Sequence, residues 1–136
     1  MTDRRTRPGD PSREPATILD TVFLAQLAGE IGEDGVVEIL RIFHEDAPPH
    51  MTAIHRAMDA GAVQTVRREA HALAGAARTV GLTLLARNAA ALQRASEGSG
   101  PALTMVEALE AALRLSLPVA AAWADAHDEA LAAPHR

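Results

Sequence analysis

The chain has 136 residues, of which 48% are hydrophobic, and it carries a formal net charge of −5 at pH 7. This length allows one domain with a buried core, and the negative charge argues against a general nucleic-acid binder. Because there is no cysteine, disulfides, thiolate catalysis and cysteine-ligated metal centres are excluded. No apolar run approaches the roughly 20 residues of a membrane span, and the first residues are polar, so we expect a cytoplasmic protein without membrane contact.

The start of the chain predicts a tail followed by a short helix. Residues 1–16 are rich in Arg, Asp, Pro and Gly, with almost nothing to bury, so we expect this segment to be disordered. Asp20 can cap a first helix that runs to about residue 29. The buried side of this helix is expected to consist of Val22, Phe23, Leu24 and Leu27.

Two longer helices are predicted next. The first covers about residues 34–60, and Pro48 and Pro49 are expected to interrupt and kink it, because proline lacks the amide donor that a helix interior needs. The second covers about residues 62–79, and Gly81 ends it in the manner of a C-cap.

Two further helices complete the pattern, at about residues 82–95 and 102–132, with a bend or break near Pro118. Short connections between amphipathic helices favour antiparallel neighbours. We therefore predict an all-α antiparallel four-helix bundle over residues 17–133, with an additional short N-terminal helix.

The third helix carries the most informative residue, His71, within a run of small apolar residues. At about 100° per residue, His71 lies about 120° from the centre of an apolar stripe that faces the core. Gly75 follows one turn later, although glycine in a helix interior costs roughly 1 kcal/mol relative to alanine. We infer that this glycine keeps space clear around an exposed imidazole. The stripe consists of Val63, Val66, Ala70, Leu73 and Ala77.

Polar residues accompany His71 on its face of the helix. Gln64, Arg67 and Arg78 lie on the same side, with Arg68 slightly further round. Guanidinium groups match phosphate oxygens well, so this face suits a group that carries negative charge. From these residues alone, a surface histidine among solvated arginines is the simpler alternative.

The sequence contains no motif for binding a metal ion or a nucleotide. No glutamate stands three residues before a histidine, so the Glu-x-x-His pairs of a di-metal bundle are missing. The glycine loops that bind the phosphates of ATP or NAD are missing as well. We therefore predict neither a metal site nor a cofactor.

Residues 69–77, which read EAHALAGAA, together with Gly81 resemble the signature of histidine-containing phosphotransfer (HPt) domains. In that family the histidine is followed by an apolar residue, a lysine and a glycine, and a second glycine ends the helix. The likeness extends over about residues 18–131 and includes ILRIFHEDAP in the second helix. Ala74 stands where the family usually has the lysine, so we expect Arg67 or Arg78 to supply the positive charge.

The resemblance implies a phosphocarrier rather than an enzyme. His71, through Nε2, would accept a phosphoryl group from the phospho-aspartate of a response-regulator receiver domain, such as that of a hybrid histidine kinase, and pass it to a second receiver. The receiver would supply the acidic pocket and Mg²⁺, and this chain would be a monomer with Phe43 or Ala47 bordering the docking surface. The alternative is a helical adaptor in which His71 has no phosphotransfer role.

The resemblance also implies roles for the neighbours of the histidine. Arg67, Arg78 and Arg68 would offset the phosphoryl charge, and Gln64 would hydrogen-bond the phosphoryl oxygens. Gly75 would let the receiver approach.

Overall fold

The computed structural model describes residues 17–132, with side chains through residue 128. Its helices are α1 (Thr21–Ile31), α2 (Glu33–Ala60), α3 (Val63–Thr79), α4 (Thr83–Glu97) and α5 (Leu103–Ala132). The tail expected at residues 1–16 and the predicted domain limit at residue 133 lie outside the described residues. Within residues 17–132 no helix is long and apolar enough to cross a membrane.

Helices α2 to α5 form a closed four-helix ring. Helix α2 packs against α3 and α5, and α4 packs against the same two helices, while α1 packs against α2. Connections of two to five residues join successive helices of the ring, which makes chain neighbours antiparallel. The predicted all-α bundle with a short N-terminal helix is confirmed.

Aliphatic side chains and alanines fill the space inside this ring. Four members of the predicted α3 stripe are buried, but Val63 is 37% exposed because it is the first residue of the helix. Val22, which was expected on the buried side of α1, is 67% exposed. Helix α1 contacts only α2 among the helices, so only a narrow face of α1 is buried. Leu24 is the one fully buried residue of this helix.

The prolines do not end the helices that contain them. Helix α2 continues through Pro48 and Pro49, and α5 continues through Pro118, so the predicted interruption of α2 and the break of α5 are wrong, whereas the kink and the bend stay predictions. All three rings are exposed, and carbonyl groups on the solvent side can bond to water when an amide donor is missing. Buried neighbours such as Ala47 and Met51 keep α2 packed on the core.

Gly81 forms the corner between α3 and α4 and holds the N-terminal segment. Its φ of 73° is left-handed, and a Cβ there would lie 3.1 Å from Phe23 and 3.3 Å from the Asp20 carbonyl oxygen. The amide of Asp20 donates to the Gly81 carbonyl at 2.8 Å, and the amide of Leu84 donates to the Thr17 carbonyl at 2.9 Å. Both backbone conformation and space therefore require glycine at this corner.

Side-chain pairs connect α2 to the helices on either side. A 2.6 Å contact joins an imidazole of α2 to a carboxylate of α3, whereas the contacts to α5 are 3.0–3.3 Å long. The pairs are His50–Glu69 to α3, and His55–Glu110, Arg41–Asp125 and Arg41–Asp128 to α5.

An aromatic pair lies toward the end of α5. The rings of Trp123 and His127 stack with their centroids 3.6 Å apart and their planes 14° from parallel. His127 Nδ1 lies 2.8 Å from the Trp123 carbonyl oxygen, one helical turn earlier, and this contact fixes the orientation of the imidazole.

Candidate functional site

His71 lies in the middle of α3 with its side chain exposed. The imidazole makes no hydrogen bond or ion pair with any residue in the part of the chain that the structure describes. Because no protein group occupies either ring nitrogen there, the side chain is open to an approaching molecule.

Gly75 lies on the same face, one turn after His71, and is exposed. Its φ is not positive, and a Cβ built on it would have no atom within 4 Å. The Thr79 hydroxyl donates to the Gly75 carbonyl at 2.9 Å, which adds to the helical hydrogen bonding at this turn. Neither backbone conformation nor internal packing requires glycine here, so a missing side chain matters only to something outside the molecule.

The arginines of α3 differ in their contacts. Arg67 Nε donates to Gln64 Oε1 at 3.1 Å, and Arg68 Nη2 lies 3.4 Å from the Thr65 hydroxyl. Arg78 is exposed in the last turn of the helix. Within the described residues, none of these three guanidinium groups pairs with a carboxylate, so their positive charge is directed to solvent.

Ala74, where the family resemblance would place a lysine, is fully buried. Sequence periodicity missed this burial because α3 packs against α4 as well as α2, which widens its buried face. A longer side chain at this position would have to pass through packed neighbours. Cationic groups near His71 come instead from Arg67 and Arg78, about 40° and 20° from it around the helix, toward α4.

An open groove of about 280 Å³ runs along the other flank of the His71 face, between α2 and α3. Phe43 and Ala47, which were expected to border a docking surface, are buried and form its floor. Ile42, 49% exposed, lies at its rim and was not singled out from the sequence. The signal was available, because Ile42 lies outside the core-facing pattern of α2. Ile39, Ile42, Phe43, Asp46, Ala47, His50, Ala76, Thr79 and Val80 line this α2–α3 groove.

Other histidines have different surroundings. His50 and His55 are each paired with a glutamate. His44 is exposed, and the same depression is lined by Glu45 and by Asp125, which is paired with an arginine. Within the described residues the carboxylate of Glu45, next to His44, is unpaired, and it disfavours an anionic ligand. Among the described residues, no group of three His, Asp or Glu side chains could hold a metal ion.

Comparison with known proteins identifies the family. The model of the Hpt domain family matches residues 38–132, well over half of the chain and all of α3. A solved structure, that of histidine-containing phosphotransfer protein B (HptB) from Pseudomonas aeruginosa PAO1, is 25% identical, with a TM-score of 0.69 over 85% of this chain and 97% of that one. None of the curated proteins compared with the chain matches it. The chain therefore belongs to the Hpt domain family, whose members are phosphocarriers of two-component signalling rather than enzymes.

Proposed function

We propose that this chain carries a phosphoryl group on His71 between receiver domains of a His–Asp phosphorelay. The observation that carries the proposal is the pairing of an exposed, unpartnered imidazole with Gly75, a glycine that nothing inside the molecule requires. A helix that accepts the cost of an internal glycine beside a histidine leaves room for a partner to reach it.

This chain contributes a neutral imidazole to the chemistry, and the receiver contributes the acyl phosphate together with its acidic pocket and Mg²⁺. The Nε2 lone pair of His71 attacks the phosphorus of a receiver's phospho-aspartate, so that an N–P bond forms while the aspartyl O–P bond breaks and the carboxylate leaves. The proton on Nδ1 stays on the ring. Attack by the aspartate of a second receiver reverses these steps and frees His71 for another cycle.

Arginine side chains support the phosphorylated state in this proposal. Arg78 has no partner among the described residues and can extend toward His71, and Arg67 can turn its terminal nitrogens to the phosphoryl oxygens while Nε holds Gln64. Arg68 lies on the other side of the same face. Each contact is exposed to solvent, so each contributes on the order of 1 kcal/mol.

The α2–α3 groove supplies the docking surface in this proposal. It flanks the His71 face, and Thr79 lines it about 80° from His71 around α3. Ile42 offers exposed apolar surface beside the groove, and protein interfaces bury such apolar side chains at their core while charged groups stay at the polar rim. We propose a monomeric carrier that meets receiver domains in the cytoplasm.

Phosphate transfer from a charged receiver tests the proposal. Receiver domains labelled with radioactive acetyl phosphate are mixed with wild type, His71→Gln and the control His44→Gln, and acid-labile label on the chain is followed. We expect His71→Gln to abolish transfer and His44→Gln to leave it intact. Arg67→Ala with Arg78→Ala should slow it by about tenfold or more, since roughly 1.4 kcal/mol in a barrier is a factor of ten.

The same experiment separates the carrier from an adaptor, a role that the alanine at position 74 favours. An adaptor would bind receivers but take no label. Label that still reaches His71→Gln would exclude His71 as the acceptor, whereas a fast double-arginine variant would remove only the role assigned to those two side chains.

A further inference from the structure

Charge is distributed unevenly between the two sides of the bundle. Helices α3 and α4 together contain five arginines and two glutamates, a net charge of +3, on a chain whose total is −5. Of those glutamates, Glu69 is held by His50 on the α2 side. Helices α2 and α5 together contain three arginines and eleven acidic residues, a net charge of −8. The His71 side is thus a basic face on an acidic protein.

Two arginines of α4 lie within about one helical turn, along the bundle axis, of the level of His71. In an antiparallel pair that turns at Gly81, residues equally far from the turn lie level with each other, so Ala91 is level with His71. Arg87 is four residues before Ala91 and Arg94 is three residues after it, which places them about 6 Å and 5 Å to either side of that level. Both side chains are exposed.

The same two arginines lie on the α3 side of the α4 surface. Glu69 contacts His50 of α2, so the buried Ala74, on the other edge of the buried face of α3, lies toward α4. Both helices are right-handed and run antiparallel. The corresponding edge of the buried face of α4, at Ala90, therefore lies toward α3.

Arg87 and Arg94 follow next around α4, about 20° apart. They continue the positive surface formed by Arg67 and Arg78 on α3.

We propose that Arg67, Arg78, Arg87 and Arg94 form a cationic band across α3 and α4 that binds an acidic surface of the receiver domain exchanging phosphate with His71. This inference rests on the proposed function and extends the contact to a second helix, on the flank opposite the α2–α3 groove. A receiver seated over His71 would meet the groove with one side and the band with the other. Complementary charge then steers the encounter and fixes its orientation.

A folded acidic partner fits the band better than a polyanion does. The net charge of −8 on α2 and α5 repels a long nucleic acid or an extended anionic membrane. A receiver domain that covers only the His71 side escapes most of that repulsion, because screening by salt limits its reach to about 10 Å.

Charge reversal tests the band. The variant Arg87→Glu with Arg94→Glu is compared with Arg56→Glu with Arg114→Glu, which makes the same change in net charge on exposed residues of α2 and α5. Transfer from a receiver charged with radioactive acetyl phosphate is measured at low and at high ionic strength. We expect the α4 variant to be about tenfold slower than the control at low ionic strength and the difference to shrink in high salt.

Further arms keep the outcomes apart. The variant Arg87→Lys with Arg94→Lys retains the charge and should transfer at the wild-type rate, while circular dichroism checks that every variant is helical. Labelling by phosphoramidate, which needs no docking, should reach His71 equally in all of them.

Equal rates for the two charge-reversal variants would overturn the band. So would loss of binding to anionic vesicles or to RNA in the α4 variant without any loss of transfer. If wild type takes no label from any receiver, the proposed function fails, whereas a His71-dependent transfer that ignores Arg87 and Arg94 removes the band alone.

Discussion

Gly75 and Gly29 both lie in helices at positions with open space for a side chain, but only Gly75 lies near His71. Each lies inside a helix, and at neither would a Cβ meet an atom within 4 Å. Gly29 belongs to α1, whereas Gly75 follows His71 by one turn of α3. The pair therefore separates the effect of a glycine on helix stability from its effect on access to the imidazole.

Leucine at each of these glycines should give opposite functional results. Both Gly75→Leu and Gly29→Leu should raise the melting temperature or leave it unchanged, because leucine is favoured over glycine in a helix by up to about 1 kcal/mol. Receiver-to-His71 transfer should fall steeply only for Gly75→Leu, because the side chain fills the approach. Undiminished transfer in that variant would show that the open space at Gly75 does not serve docking.

At the scale of single residues, the sequence predicts exposure better than burial. The period of α3 places His71 and Gly75 on the solvent side, as the structure does, because one core-facing stripe suffices for that inference. Burial of Ala74 could not be predicted, because it depends on how closely α4 approaches. Nor could the pairing of Arg67 with Gln64, since the orientation of long side chains is decided by contacts and not by position on the helix.

Two glycines with a left-handed backbone conformation lie in the connections that follow α2 and α3. Gly61 follows α2 with φ 67°, and Gly81 follows α3 with φ 73°. A Cβ at Gly61 would meet nothing within 4 Å, but one at Gly81 would contact Phe23 and the Asp20 carbonyl. Both positions therefore have a left-handed backbone that disfavours a side chain, but only at Gly81 would a side chain also contact neighbouring residues.

Alanine at the two corners should therefore destabilise the protein unequally. Gly61→Ala should lower the free energy of unfolding by about 1 kcal/mol, the cost of a left-handed alanine. Gly81→Ala should lower it by a further ~1–3 kcal/mol, because the new methyl displaces the segment that hydrogen-bonds there. Urea unfolding of both variants measures the difference, and equal losses would mean that the N-terminal segment adds nothing at this corner.

Helix positions were predictable, and helix interruptions were not. The third helix was expected at residues 62–79 and is found at Val63–Thr79, since apolar period and the glycines at either end agree. Pro48 and Pro49 argue locally for a break, yet α2 continues through them. Tertiary packing of Ala47 and Met51 outweighs the local preference, and a sequence read one segment at a time does not contain that contact.

At the scale of the molecule, α2 is the helix that touches the most others. It packs against α1, α3 and α5, and histidine–glutamate pairs connect it on two sides. The His50–Glu69 contact is 2.6 Å long between side chains 31% and 24% exposed, whereas His55–Glu110 is 3.3 Å long between side chains 42% and 32% exposed. Shorter distance and greater burial make the α2–α3 pair the stronger of the two.

Removing each histidine should rank these connections. His50→Ala should lower the free energy of unfolding by about 1–2 kcal/mol, because the half-buried Glu69 side chain loses its hydrogen-bond partner. His55→Ala should cost less than about 1 kcal/mol, since Glu110 is also contacted by Arg114. Guanidinium unfolding curves give both values, and a larger loss for His55→Ala would reverse the ranking.

The bundle as a whole was predictable from five amphipathic segments and short connections, but the site was only partly so. The α2–α3 groove exists because Ile42 on one helix comes near Thr79 on another, and no local pattern specifies that pairing. The resemblance of residues 69–77 to a family signature pointed to His71 as the proposed phosphoryl acceptor, and the three-dimensional arrangement showed two unlike flanks beside it, one apolar and one with arginines.

The stack of Trp123 on His127 gives this protein a built-in optical reporter. With one tryptophan and no tyrosine in the chain, near-ultraviolet emission comes from a single place, the end of α5 beside α2. An imidazole in ring contact quenches indole fluorescence, so unwinding of this end of α5, which separates Trp123 from His127, brightens the emission without any added label. His71 lies on α3, which is diagonally opposite α5 in the four-helix bundle. Receiver docking at His71 should therefore leave the Trp123 emission unchanged, and a change in emission during phosphotransfer would report a motion transmitted through the bundle.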